Sequence, residues 1–168
     1  MHAEEIKKQI TDFKRPKYNE IPDVGLYLEQ VAKYISEYLN PLGEFNLTSS
    51  MISNYVKKGL ITNPVKKQYS REQIAYLIFI AIAKSVASIE DIRLMIEIQK
   101  KTYSPEVAYN YIEAELTNIL QFVFGIKDSL DVIGSNNHEA KIMLRTAIIT
   151  VAHKVYLDKY FEYYRENK

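Results

Sequence analysis

The sequence contains no cysteine among its 168 residues. Structural disulfides, thiolate metal sites and cysteine nucleophiles are therefore excluded. Histidine is also scarce: His2, His138 and His153 are too few and too widely spaced to indicate a zinc or iron centre. Glycine and proline occur five times each, which favours long helices over a turn-rich β-sandwich. These absences remove thiol chemistry and most metal chemistry from consideration.

Apolar runs long enough to cross a membrane are missing as well. The longest run, Ile74 to Ala83, has ten residues, whereas a transmembrane helix needs about 20, so we predict a buried core helix there. The first residues, Met1 to Ile6, include two acids and no apolar segment of the kind found in signal peptides. We therefore expect a cytoplasmic protein that has no membrane partner.

A local excess of positive charge is the main feature of the composition. The net charge is only +1, yet residues 48–102 hold nine Lys or Arg and four Asp or Glu. The segments 1–47 and 103–168 each carry two more acids than bases. Apolar residues make up 47% of the chain and charged residues 26%, which are proportions typical of a folded domain. The sequence thus predicts a folded protein with one basic patch, concentrated between Lys57 and Arg71.

Helical periodicity and capping residues recur along the chain. Apolar residues spaced three and four apart, bounded by Asp, Ser or Thr before them and by Gly or Pro after them, mark helix boundaries. The first predicted helix runs over 26–39 after the N-cap Asp23, and the second from Thr48 to about Lys58, before Gly59. The third runs from the Ser70 and Gln73 capping box to about Val86, and the fourth begins at Ser88 with Asp91. The fifth runs from Ser104 and Pro105 to Gly125, and the last, after a break at 134–137, from about His138 to Arg165. A loop or small hairpin fits the segment Leu60 to Tyr69. The chain is therefore predicted to be all-α, or nearly so.

Candidate catalytic groups are few. The five glycines are isolated from one another, so the sequence has no Gly-rich phosphate-binding loop. Glu90 and Asp91 fall in the first turn of a predicted helix, where carboxylates interact favourably with the helix dipole. His153 lies inside the last predicted helix, without a recognisable nucleophile near it. We expect neither an enzyme nor a bound cofactor.

The short predicted helix that begins at Thr48 is the candidate binding element. Small polar side chains let a helix enter the major groove, where Asn and Ser can meet base edges, while lysines neutralise phosphates. The predicted DNA-binding residues are Ser49, Ser50, Ser53 and Asn54 for bases, Lys57, Lys58, Lys66, Lys67 and Arg71 for phosphates, and Tyr55 and Tyr69 beside them. The alternative is that these lysines simply solvate a helix end.

Three segments resemble MerR-type winged helix-turn-helix regulators. Leu47 to Ile61 resembles their second helix and turn, Tyr69 to Ile74 the segment that leads out of the wing, and Ala83 to Ile92 the link from the third to the fourth helix. The resemblance implies a first helix-turn-helix element at 26–39 and a recognition helix at 48–58. It also implies that Lys66, Lys67 and Tyr69 lie on or beside the wing, which is short in this chain.

A second resemblance covers roughly residues 20–100. Ile21-Pro22 with Leu26-Tyr27, followed by Thr48 to Ile96, is similar to an uncharacterised bacterial family, numbered 1836 among the domains of unknown function. We therefore expect an N-terminal arm over 1–20, a winged helix-turn-helix domain over 21–102, and a helical region over 103–168 for dimerisation or sensing.

The expected function is that of a transcriptional regulator that binds duplex DNA. MerR-like proteins dimerise through a helix after the DNA-binding unit, which implies a homodimer that reads a palindromic site. Tyr156, Tyr160 and Tyr163 share one helix face by their spacing, and tyrosine is enriched at protein interfaces. A small-molecule effector is left unassigned.

Two alternatives stay open. The first is a protein-interaction module without DNA binding, which is favoured because Ser53 occupies the position of an arginine in the MerR pattern. The second is a small-ligand sensor, in which Tyr109, Tyr111 and Tyr156 line a cavity among the C-terminal helices.

Overall fold

The computed structural model describes residues 2–134 and 138–168. Helices make up most of it, which confirms the expectation of an all-α or nearly all-α chain, and each of the two strands is only two residues long. The elements in chain order are α1 (His2–Asp12), a 3₁₀ turn (Tyr18–Glu20), β1 (Leu26–Tyr27), α2 (Leu28–Leu39), a 3₁₀ turn (Asn40–Leu42), α3 (Ser49–Lys57), β2 (Gln68–Tyr69), α4 (Arg71–Ala83), α5 (Ile89–Thr102), α6 (Pro105–Val123) and α7 (Glu139–Glu166).

Helix α4 lies at the centre of the core. Ten of its thirteen residues are buried, from Gln73 to Ala83 with the exception of Tyr76. The helix packs against α2, α6 and α7. The prediction of a buried core helix at Ile74 to Ala83 is thereby confirmed. Across the described part of the chain, no helix combines the length and the hydropathy that a membrane span requires.

Side-chain caps begin four of the helices where the sequence predicts them. The hydroxyls of Thr48, Ser70, Ser88 and Ser104 each accept a hydrogen bond from the backbone N–H three residues later. The Gln73 side chain completes the capping box by accepting from the Ser70 N–H at 2.8 Å. Such local signals are readable in the sequence because both partners lie within one turn.

Two predicted helix boundaries were wrong. The first predicted helix starts at Leu28 rather than Leu26, because Leu26 and Tyr27 pair with β2 as a strand. Asp23 does not cap that helix, since its carboxylate accepts instead from the Arg71 N–H at the start of α4, at 3.2 Å. Helix α4 ends at Ala83 and not at Val86.

The segment between α3 and α4 forms a small hairpin, one of the two structures that the sequence predicts for Leu60 to Tyr69. β2 runs antiparallel to β1, with Leu26 opposite Tyr69 and Tyr27 opposite Gln68. Val65 and Gln68 form an isolated bridge that closes a tight two-residue turn at Lys66 and Lys67. This connection carries the chain from the end of α3 back past the start of α2.

The C-terminal helices share the same core. α7 packs along α6 and also contacts α4 and α5. An ion pair joins Arg145 on α7 to the buried Glu115 on α6, with Nε and Oε1 3.0 Å apart. The predicted boundary at residue 102 is therefore crossed by one continuous apolar core. Of the predicted break before α7, Ser135, Asn136 and Asn137 lie outside the described residues.

Candidate nucleic-acid interface

Helix α3 has one buried face and one exposed face. Ile52 and Tyr55 are buried in the core, at 0% and 5% exposure. Ser50, Ser53, Asn54 and Lys57 are all exposed, and their spacing of three, one and three residues places them on the opposite face. The outward side of this helix is therefore built from small polar groups and one cation, while Ser49 is half-buried beside them.

The lysines at the end of α3 and in the hairpin turn form no ion pairs within the described residues. Lys57, Lys58, Lys66 and Lys67 are exposed, and within residues 4–134 and 138–168 none of them forms an ion pair or a side-chain hydrogen bond. From Phe45 to Arg71 the chain holds five Lys or Arg and no Asp or Glu. Free ammonium groups in a segment without acids produce a positive potential that attracts polyanions.

The turn at the hairpin tip is conformationally strained. Lys66 and Lys67 have φ values of +51° and +63°, and in the described chain they are the only non-glycine residues at positive φ. Two-residue hairpin turns of this kind favour Asn-Gly, because a Cβ makes the left-handed conformation costly. Strain of this kind concentrates at functional sites. The turn thus holds two lysines where turn chemistry alone favours other residues.

Three of the predicted site residues have structural roles instead of facing outward. Tyr55 and Tyr69 are 5% and 4% exposed, and both rings pack in the core. The Arg71 guanidinium donates to the Ile21 and Asn19 carbonyls at 2.9 and 3.1 Å. Two of its three guanidinium nitrogens therefore secure the loop before β1. The sequence did not reveal the role of Arg71 because its carbonyl partners lie about fifty residues away.

Two cations that the sequence did not point to flank α3. The Lys84 ammonium donates to the Asn46 carbonyl just before the helix, at 2.6 Å, and burial lowers the pKa of this lysine. At the other end, Arg93 donates from Nη2 to the Lys58 carbonyl at 2.7 Å. Each comes from a helix more than thirty residues away, so only the fold places them beside α3.

The outer face of α7 differs in chemistry. Tyr156, Leu157, Tyr160, Phe161 and Tyr164 are between 39% and 52% exposed. The tyrosine rings among them contact one another in sequence. Tyr156 stacks on Tyr160 at a centroid distance of 6.2 Å, and Tyr160 lies against Tyr164 at 4.9 Å. This set is called the α7 aromatic face below.

A longer uncharged seam runs along the same side of α7. Its positions alternate in steps of four and three residues, which is the heptad spacing of a coiled-coil seam. They are Ile142, Thr146, Ile149, His153, Tyr156, Tyr160 and Tyr163. All are exposed or half-buried, and the seam extends for about 32 Å at 1.5 Å per residue.

The three tyrosines proposed for a sensor cavity do not come together. Tyr109 lines a cavity between α4, α5 and α6, whereas Tyr111 lines a separate cavity beside Lys141. Tyr156 lies on the outer surface and meets Phe124 edge-on at 5.3 Å. The expected grouping of these three residues was therefore wrong.

A family model matches residues 16–112, from the loop after α1 into the middle of α6. The match is wider than the resemblance noted from the sequence and covers more than half of the chain. No curated protein and no solved structure matches the chain. The chain belongs to the family described as a domain of unknown function, DUF1836.

Proposed function

We propose that this protein is a transcriptional regulator that binds duplex DNA through α3 and the Lys66–Lys67 turn. The observation that carries the proposal is the outward face of α3, where Ser50, Ser53 and Asn54 are exposed beside Lys57. Short side chains allow a helix to approach the floor of the major groove, and Asn can bond both N6 and N7 of adenine. The cations next to it supply the phosphate contacts that such docking needs.

The order of elements supports a winged helix-turn-helix of the MerR type. α2 packs on α3, the hairpin follows at once, and β2 pairs back to β1 in front of α2. In this proposal α3 is the recognition helix and the turn at Lys66 and Lys67 is the wing. Tyr55, Tyr69 and Arg71 support these two elements from behind and make no DNA contact.

We further propose a homodimer formed through α7. The seven positions of its outer seam, from Ile142 to Tyr163, have heptad spacing, and none of them is Asp, Glu, Lys or Arg. This pattern is suited to packing against a helix of the same kind. Two copies related by a two-fold axis present two α3 helices, which matches a palindromic duplex. Each copy then reads one half-site.

Salt-dependent duplex binding is the central test. Affinity for a random duplex should fall linearly on a log–log plot with salt, with a slope of about −0.9 per neutralised phosphate. The double variant Lys57→Ala/Lys58→Ala should reduce the slope by about 1.8 and weaken binding to all sequences alike. Fluorescence anisotropy at several salt concentrations measures both effects.

A matched control uses two exposed lysines far from α3 in sequence. Lys8→Ala/Lys14→Ala removes the same charge from the N-terminal segment and should leave the slope and the affinity unchanged. Equal effects from the two double variants would mean that net charge alone drives binding, which contradicts a docking role for α3. No duplex binding at low salt would instead favour the alternative of a protein-interaction module.

A measured sequence preference distinguishes base contacts from contacts to the phosphates alone. Selection of bound sequences from a random duplex pool should give a preferred half-site for the wild-type chain. Asn54→Ala should change the preferred base at one position and cost about 1–3 kcal/mol on the wild-type site. An unchanged preference would exclude Asn54 from base contact.

A further inference from the structure

A groove runs along the first half of α7. The loop from Leu130 to Gly134 forms one wall, and α7 forms the other. Its volume is about 440 Å³, within the range of about 300–1,000 Å³ that is usual for sites of small organic molecules. The helix contributes Lys141, Ile142, Arg145, Thr146 and Ile149. This space, called the α7 groove below, has room for more than one aromatic side chain.

Apolar side chains in the α7 groove are open to solvent. Val132 of the loop is 93% exposed, Ile142 is 54% exposed and Leu130 is 37% exposed. Charged and polar residues lie among them, including Arg145. Exposed apolar side chains rimmed by polar groups mark interaction sites. Tyrosine suits such a mixed lining, because its ring is apolar, its hydroxyl is polar and a guanidinium attracts the face of the ring.

The second half of α7 has the opposite shape. The α7 aromatic face projects outward there, from Tyr156 to Tyr164, over about 12 Å at 1.5 Å per residue. The α7 groove extends from Ile142 to Ile149, which is about 11 Å on the same scale. One helix therefore presents a recessed surface and a projecting surface of nearly equal length, one after the other along its exposed side.

The two halves of α7 also differ in charge. Residues 139–149 hold two Lys or Arg and one Glu, whereas residues 156–166 hold two Lys or Arg and three Asp or Glu. Antiparallel pairing of two such helices sets the net positive half of one against the net negative half of the other, and it opposes the helix dipoles. Parallel pairing places halves of like charge together.

We propose that two copies of this chain pair with antiparallel α7 helices, each laying its α7 aromatic face in the α7 groove of the other. The inference rests on the homodimer of the proposed function and adds its geometry. Such a pair is isologous and closed. Its two-fold axis crosses α7 at His153, seven residues from both Thr146 and Tyr160. A parallel pair instead sets the two aromatic faces against each other and leaves both grooves open.

Crosslinking of introduced cysteines measures the direction of pairing, because the natural chain has none. An equal mixture of Thr146→Cys and Tyr160→Cys chains should crosslink through a short bis-maleimide, and neither chain should crosslink alone. In the antiparallel pair the two copies of residue 146 lie 14 residues, or about 21 Å, apart along the helix. In a parallel pair they face each other. His153→Cys, at the axis, should crosslink with itself and serves as the positive control.

Mixing of two defective variants tests the fit between the two surfaces. Leu157→Glu/Tyr160→Glu damages the α7 aromatic face, and Ile142→Lys/Thr146→Lys damages the α7 groove. All four residues are exposed, so both chains should fold. Each variant alone has two damaged contacts, so its dimer dissociation constant should rise about 100-fold or more.

An equal mixture of the two variants should pair to within about tenfold of the wild-type affinity. In the mixed dimer one contact is wild type, and the other sets Glu against Lys. Pairing should therefore persist at about 1 M salt, where the Debye length is about 3 Å. Glu29→Lys adds the same charge as the groove variant at an exposed position of α2, and this control should dimerise like wild type. Sedimentation velocity measures each mass.

Three outcomes would overturn the proposal. The first is crosslinking of Thr146→Cys chains with themselves, which indicates a parallel pair and leaves the proposed homodimer standing. The second is a mixture of the two variants that stays monomeric, or that pairs only at low salt. The third is a wild-type chain that sediments as a monomer, which refutes the homodimer as well. None of these measurements uses DNA, so a chain that pairs in this way and binds no duplex refutes only the regulator.

Discussion

The outward faces of α3 and α7 offer a direct comparison, because both belong to amphipathic helices of one core. The outer side of α3 presents Ser50, Ser53 and Asn54 next to unpaired lysines. The outer side of α7 presents exposed tyrosines with leucine and phenylalanine, and its seam carries no charged residue. A polar cationic face suits a hydrated polyanion, whereas an apolar aromatic face suits a protein surface. The proposed function therefore gives the two helices different partners.

The largest effect should come from adding charge to the α7 aromatic face. Leu157→Glu/Tyr160→Glu places two carboxylates on residues that are 47% and 43% exposed, so the monomer fold should survive while pairing fails. Affinity for a duplex with two half-sites should then fall about 10²–10⁴-fold, because the second α3 is no longer tethered. Affinity for a single half-site should not change. Analytical ultracentrifugation and anisotropy measure the two results.

Arg165→Glu is the control for that experiment. It also adds a negative charge near the end of α7, but on an exposed residue outside the seam. This variant should remain dimeric. Loss of two-half-site affinity without any change in the sedimenting mass would contradict the role given to α7.

A smaller effect should follow from replacing the hairpin tip. Lys66→Asn/Lys67→Gly supplies the residues that a two-residue turn favours, so the free energy of unfolding should rise by about 1 kcal/mol. Duplex affinity should meanwhile fall about tenfold, because two phosphate contacts are lost. Urea unfolding and anisotropy give the two numbers.

Lys66→Ala/Lys67→Ala separates charge from strain. It removes the same cations but keeps a Cβ at both positive-φ positions. Affinity should fall as before, while stability should show no gain. If both double variants bind DNA like the wild type, the hairpin tip is not a wing.

The smallest effect concerns two tyrosines of the inner helices. Burial raises the pKa of Tyr34 on α2 and of Tyr76 on α4 to about 12. An unfolded tyrosine loses its proton near pH 10, so the stability these two contribute is complete below pH 10. It is lost as the pH rises from 10 toward 12. Urea unfolding at pH 8.5, 10 and 11 should show this decline.

Tyr76→Phe should reduce the slope of the unfolding free energy with pH, because the substituted chain has one fewer group that loses a proton on unfolding. It should also lower stability at neutral pH, since the bond to Gln99 is lost. Tyr27→Phe changes a tyrosine that is 52% exposed and serves as the reference. An equal flattening in both variants would argue against burial as the cause.

The sequence predicted features whose causes are local. The hydroxyl caps at Thr48, Ser70, Ser88 and Ser104 each involve a partner three residues away, and the apolar run of α4 indicates burial by itself. Exposure of Ser50, Ser53 and Asn54 follows from the helical spacing once Ile52 and Tyr55 are assigned to the core.

Features that depend on distant partners were not predictable. Asp23 suits the N-cap of the next helix, yet it binds the Arg71 backbone 48 residues later. Arg71 resembles a phosphate ligand in a basic segment, but two carbonyls of a preceding loop occupy it. Arg15 gave no signal at all, because its burial results from Tyr38 and Tyr109 closing over it.

Because α4 contacts helices from both the N-terminal and the C-terminal part of the chain, these parts are mechanically connected. It touches α2, on which α3 rests, and also α6 and α7. A close-packed helix of this kind cannot move without displacing the side chains of each neighbour. In the proposed regulator, pairing of two copies through α7 would therefore be transmitted by α4 to α2 and so to α3.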